Sequence, residues 1–228
     1  MSAPGVVATA LRIARKDLAI EFRTRSAFLS ALVLSLLAIV IFYFAWDPTA
    51  VGPAVLAPGV LWVTFTFSGL LGLHRSFGVE AEDGAMDALL IAPVPREAIF
   101  LGKALANLAF VLGVQAVSLP AVALFYNLPI GSAVVPLAAV LVLAAIGLVA
   151  IGTLFAGIAA NTRLAELLLP VLALPFFVPV VMPAAQATAG LLAGRPLAEA
   201  MDWVRILIAF DLVFCWACMV VFPHTLDD

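Results

Sequence analysis

Residues 104–162, ALANLAFVLGVQAVSLPAVALFYNLPIGSAVVPLAAVLVLAAIGLVAIGTLFAGIAANT, carry no formal charge. A helix crosses a bilayer in about 20 apolar residues, so this run is too long for a single crossing. Near its middle Asn127, Pro129, Gly131 and Ser132 stand together, residue types that mark a turn. The run therefore reads as two spans, 104–126 and 133–160.

The same argument extends in both directions. Residues 27–73 hold one formal charge, Asp47, beside Pro48 and ahead of Gly52 and Pro53, and divide into spans at 27–46 and 54–73. Past Arg163 and Glu166 the chain is apolar to Gly194, and after Arg205 it is apolar to Phe222 except for Asp211. With a fifth span inside 164–193 and a sixth at 203–222 the total is six, predicting an all-α polytopic protein with a single membrane domain. Composition agrees: 65 % of the 228 residues are hydrophobic and 11 % charged, against roughly a quarter charged in soluble domains, and mean hydropathy is +1.22. A soluble enzyme is excluded. A net charge of -3 also argues against a basic surface for nucleic acid.

Lys and Arg in short loops set orientation. Arg12, Arg15, Lys16, Arg23, Arg25, Arg75, Arg96, Lys103 and Arg163 fall on one side, and only Arg195 and Arg205 on the other. This places both termini, the 74–103 loop and the 161–166 turn in the cytoplasm. The first apolar run lacks an A-x-A cleavage signal, so it reads as a retained span and not as a signal peptide.

Within 1–26, Val7, Leu11, Ala14, Leu18 and Phe22 recur at helical spacing opposite Arg12, Arg15, Lys16 and Arg23. That pattern predicts an amphipathic helix in the membrane interface, with lipid as its partner. The 74–103 loop is the one sizeable water-facing piece. In it Gly84 opens a short segment whose Met86, Leu89 and Leu90 share a face, flanked by Glu80, Glu82 and Asp83 and ended by Pro93 and Pro95. Such a helix suits insertion into a groove on a partner, or packs as a connector on its own bundle. Pro170, Pro175, Pro179 and Pro183 each delete a backbone donor from 164–193. The segment reads as a helix followed by a re-entrant hairpin, the alternative being one kinked span.

Asp211, about two turns into the last span, is a functional suspect because ionisable groups are expensive there. A structural hydrogen bond within the bundle, or a place near the outer headgroups, are the plainer readings. Cys215 and Cys218 form a C-x-x-C pair, but Met219 follows and the pair lies in an apolar helix, which excludes haem attachment and gives no means of stabilising a thiolate. His74 and His224 stand at cytoplasmic span ends as weak candidate haem contacts. Gly152, Ala156 and Ala160 repeat every four residues as a packing face. The chain has neither a G-x-x-x-x-G-K-[ST] phosphate loop nor a metal-ligand cluster, so ATP hydrolysis and any catalytic role are assigned elsewhere.

Read in order, RKDLAIEFRTR, FYFAWDP, GLLGLHRSFGVEAEDGAMDALLIAPVPREAIFLGKALANL, LFYNLP, GTLFAGIAANTR and AFDLVF resemble the B subunit of the cytochrome c maturation haem exporter, the CcmB family of ABC transporter permeases. The most specific block is E-x-E-D-G-x-x-D-x-L-L-x-x-P-V. The resemblance implies ABC-2-type exporter architecture in a bacterial inner membrane. It also implies a self-dimer, a separate cytoplasmic ABC ATPase subunit (CcmA-like) that binds the ATP, and other cytochrome c maturation membrane proteins as partners. On this resemblance Glu80, Glu82, Asp83, Gly84, Met86, Leu89 and Leu90 become the ATPase-coupling helix, and no cofactor is bound by the chain itself. Haem is the substrate, or ATP hydrolysis releases a haem-loaded chaperone. Rival classes are a permease for a lipid or other hydrophobic substrate, a thiol-reductant carrier using Cys215 and Cys218, and a scaffold.

Overall fold

The computed structural model describes residues 5–82, 94–128, 130–160 and 165–226, without the side chains of 75, 77–82, 132, 160, 165–170 and 226. Seven α-helices form among them: α1 (Val6–Thr24), α2 (Ser26–Ala45), α3 (Pro53–Glu82), α4 (Arg96–Phe125), α5 (Val134–Ala160), α6 (Ala165–Leu192) and α7 (Leu197–Val221). Short 3-10 turns occupy Gly131–Ala133 and Phe222–Leu226. Helices α2 to α7 are each long and apolar enough to cross a membrane, which makes six. The chain is a multi-pass membrane protein. Three boundaries differ from the sequence reading, the first being that α3 runs on to Glu82 past the expected end at 73. The third crossing helix begins at Arg96 and the last at Leu197, because charges in a first turn are tolerated where the helix is still at the bilayer surface.

The bundle is built around α3 and α5, whose apolar windows are 61 % and 56 % buried against 22 % for α2 and for α7. On α3 the outward residues Val55, Gly59, Val63, Phe67 and Leu71 recur every fourth position and leave the rest of the surface to neighbours. On α5 the small residues allow close approach: a side chain at Gly152 would overlap Leu73 of α3, and Ala156 is buried beside it in sequence register. Buried hydroxyls bridge helices, Ser35 to Ser68 at 2.6 Å and Asn107 Nδ2 donating to Thr153 Oγ1 at 3.0 Å. Trp62 Nε1 donates to Thr188 Oγ1 at 3.1 Å, joining α3 to α6.

The expected re-entrant hairpin is not formed. Helix α6 runs unbroken from Ala165 to Leu192, and Gly194, at φ 69°, turns the chain directly into α7. The prolines fit because of their spacing. Ala173, Phe177, Val180, Ala184, Ala187 and Leu191 form the buried stripe, whereas Pro175 and Pro179 lie one above the other on the exposed side. The core stripe thus keeps its packing, with Pro175 and Pro179 outside it and Pro183 alone of the described α6 prolines buried.

At the end of the bundle away from the basic residues, α2 and α4 finish in an aromatic cluster. The Tyr43 ring stands 5.4 Å from Phe125 and 5.9 Å from Tyr126, and Trp46 stands 5.5 Å from Tyr126. Aromatic rings concentrate at membrane–water boundaries. The turn beyond is pinned by Trp46 Nε1 donating to the Val51 carbonyl at 2.8 Å, and by Thr49, whose amide and hydroxyl donate to Asp47 at 2.8 and 2.7 Å. Those bonds hold the Asp47 carboxyl below the usual carboxylate range. At the turn between α4 and α5, Asn127 takes φ 47°, a conformation that Asn tolerates better than most residues.

Candidate functional site

Of the proposed coupling residues, Glu80 and Glu82 lie in the last turn of α3, while Asp83, Gly84, Met86, Leu89 and Leu90 lie outside the described residues. Their frame is described. Helix α3 leads into this segment and α4 leads out of it, with Pro95 as the extended residue ahead of Arg96.

One side chain ties that frame together. Lys103 of α4 is only 2 % exposed, and a buried ammonium needs acceptors. It donates to the Ser76 carbonyl of α3 at 2.6 Å and pairs with the Asp17 carboxylate of α1 at 3.1 Å. The residue just before it, Gly102, lets α1 approach so closely that an added Cβ would fall 2.8 Å from the Ala10 carbonyl oxygen. The C-terminal turn closes the node: Arg96 donates to the Pro223 carbonyl at 2.9 Å, and the Phe100 and Phe222 rings lie 5.2 Å apart. The body of α1, the C-terminal part of α3, the N-terminal part of α4 and the 222–226 turn therefore meet. Sequence reading missed this node, having counted Lys103 only as a loop charge. The signal was available, since Ile99, Phe100, Lys103, Ala106 and Asn107 fall on one buried helical face.

Asp211 sits midway along the 25-residue α7 and is 7 % exposed. It packs where α5, α6 and α7 meet: a Cβ at Gly147 would lie 2.6 Å from Asp211 Oδ1 and 3.1 Å from Val180 Cγ2. Neither carboxyl oxygen has a hydrogen-bond partner among the described residues, so the expected structural hydrogen bond is not found there. An unsatisfied buried polar group costs roughly 1–3 kcal/mol. Asp211→Leu, which keeps the branching pattern, is therefore expected to leave the thermal midpoint in detergent unchanged or raised. A clear drop would reveal a partner that the carboxyl needs.

A family model described as CcmB protein matches residues 8–227. The chain belongs to the CcmB protein family. Similar proteins named Heme exporter protein B include those of Paracoccus denitrificans, 35 % identical over 75 % of this chain and 78 % of the relative, and Rhodobacter capsulatus, 32 % identical over 73 % and 76 %. That of Pseudomonas aeruginosa is 29 % identical over 84 % of this chain and 85 % of the relative.

The remaining candidates of this CcmB chain stand apart. His224 is exposed beyond α7, with Nδ1 3.2 Å from the Val220 carbonyl, and His74 is half-buried in α3. Cys215 and Cys218 are free thiols on α7, the second buried. Among the described residues no three His, Cys, Asp or Glu side chains gather as a metal site.

Proposed function

We propose that this chain is the permease subunit of an ATP-driven exporter that handles haem for cytochrome c maturation. The observation that carries this reading is the CcmB match over residues 8–227. On it, two copies form the membrane path in a bacterial inner membrane with both termini cytoplasmic, and a separate ATPase docks on the coupling residues from Glu80 to Leu90. The node around Lys103 then passes the ATPase's movement to α1 and the crossing helices.

Deleting the gene should abolish covalently haem-stained c-type cytochromes, and restoring it should bring them back. A tagged chain purified from native membrane should retain an ATPase subunit, and a reporter after Asp228 should read cytoplasmic. Normal cytochromes in the deletion strain would instead favour export of a lipid or another hydrophobic substrate.

A further inference from the structure

Helix α1 has three faces, and the bundle uses only one. Thr9, Ala10 and Ala14 are buried against α4. Both acids of α1 lie on that side: Asp17 bridges Lys103 and the exposed Lys16 at 3.1 and 3.2 Å, and Glu21 accepts the Phe28 amide at the start of α2 at 2.8 Å. The second face is apolar and outward, with Val7, Leu11 and Phe22 exposed and a shallow groove along Leu11, Leu18, Ala19 and Phe22. Arg15 borders this groove. The third face carries Arg12, Lys16 and Arg23, all exposed. With the acids turned inward, the outward surface of α1 is basic beside apolar.

Position says what meets that surface. A single residue, Arg25, in a left-handed conformation at φ 55°, separates α1 from the first crossing helix, so α1 ends where that helix enters the bilayer. The side is the one that collects nine of the eleven basic residues. We propose that α1 seats an anionic phospholipid of that leaflet, its acyl chains along Leu11, Leu18 and Phe22 and its phosphate engaged by Arg12 and Arg15, with Arg23 adding positive charge to the same surface. Guanidinium groups suit phosphate oxygens by geometry as well as charge. The inference rests on the six crossings and the charge bias, and is independent of what the exporter carries.

The test is native mass spectrometry of the full chain in neutral detergent, titrated with phosphatidylglycerol and, separately, with phosphatidylcholine. The wild type should hold phosphatidylglycerol preferentially. Each basic residue near an anionic surface is worth about a fivefold gain in affinity, so the Arg12→Gln, Arg15→Gln, Arg23→Gln triple variant should lose about a hundredfold of that preference. An Arg195→Gln, Arg205→Gln variant should keep it. Equal retention of both lipids by the wild type, a preference that survives in the triple variant, or one abolished by the Arg195 and Arg205 changes would overturn the proposal. Unchanged circular dichroism and elution of the triple variant confirm that its fold is retained, and loss of either counts against the outward placement of these arginines.

Discussion

Replacing Lys103 with alanine is expected to release α1 from the bundle, with a loss of about 3–5 kcal/mol. The substitution removes the donor that the Asp17 carboxylate and the Ser76 carbonyl share, leaving Asp17, among the described residues, only the exposed Lys16 ammonium at 3.2 Å. Because Asp17 keeps 16 % side-chain exposure, water reaches it in part, and the lower end of that range applies. A second variant separates charge from packing. Lys103→Met combined with Asp17→Leu removes both partners, and apolar replacement of a buried ion pair is often neutral or stabilising. The double variant should regain most of the thermal midpoint lost by Lys103→Ala, and proteolysis near Arg25 should be fast only in the single variant. If Lys103→Ala melts like the wild type and resists protease equally, the node does not hold α1.

The second large effect is expected from Leu89→Ala with Leu90→Ala. If both leucines insert into an ATPase groove, each truncation removes burial worth roughly 1.5–3 kcal/mol, which weakens docking more than tenfold per residue. The ATPase should be lost on purification and cytochrome c maturation should fail, while the permease still inserts in the membrane. Glu80→Gln should be mild, since exposed ion pairs are worth about 1 kcal/mol or less. Retention of the ATPase by the double leucine variant, with normal maturation, would reduce the segment to a connector.

The spans were readable because lipid offers the backbone no alternative partner. Uncharged runs bounded by Asp47, by the Asn127 turn and by Arg163 therefore had to be helices, and the structure places all six. Other features depend on which helices become neighbours, and that is not written in any one run. The Asp211 surroundings exist only where Gly147 and Val180 converge on it, and the Lys103 node needs three separate helices to meet. The prolines of α6 misled for a different reason. Each was weighed as an isolated break, whereas Pro175 and Pro179 stand clear of the buried stripe and Pro183 is accommodated, buried, within the continuous helix. Within the candidate coupling site, the residue types were legible, and Asp83 to Leu90 lie outside the described residues.

The four-residue proline repeat of α6 has a mechanical consequence. Pro175, Pro179 and Pro183 withhold the donors that would otherwise close onto the carbonyls of Val171, Pro175 and Pro179, so successive turns of α6 lack a rung on the same flank. A rod weakened along one flank has a soft direction and a stiff one. Helix α6 yields most easily toward or away from that flank, and resists deflection across it. The residue order has thus fixed the direction in which this helix gives way before any load is applied.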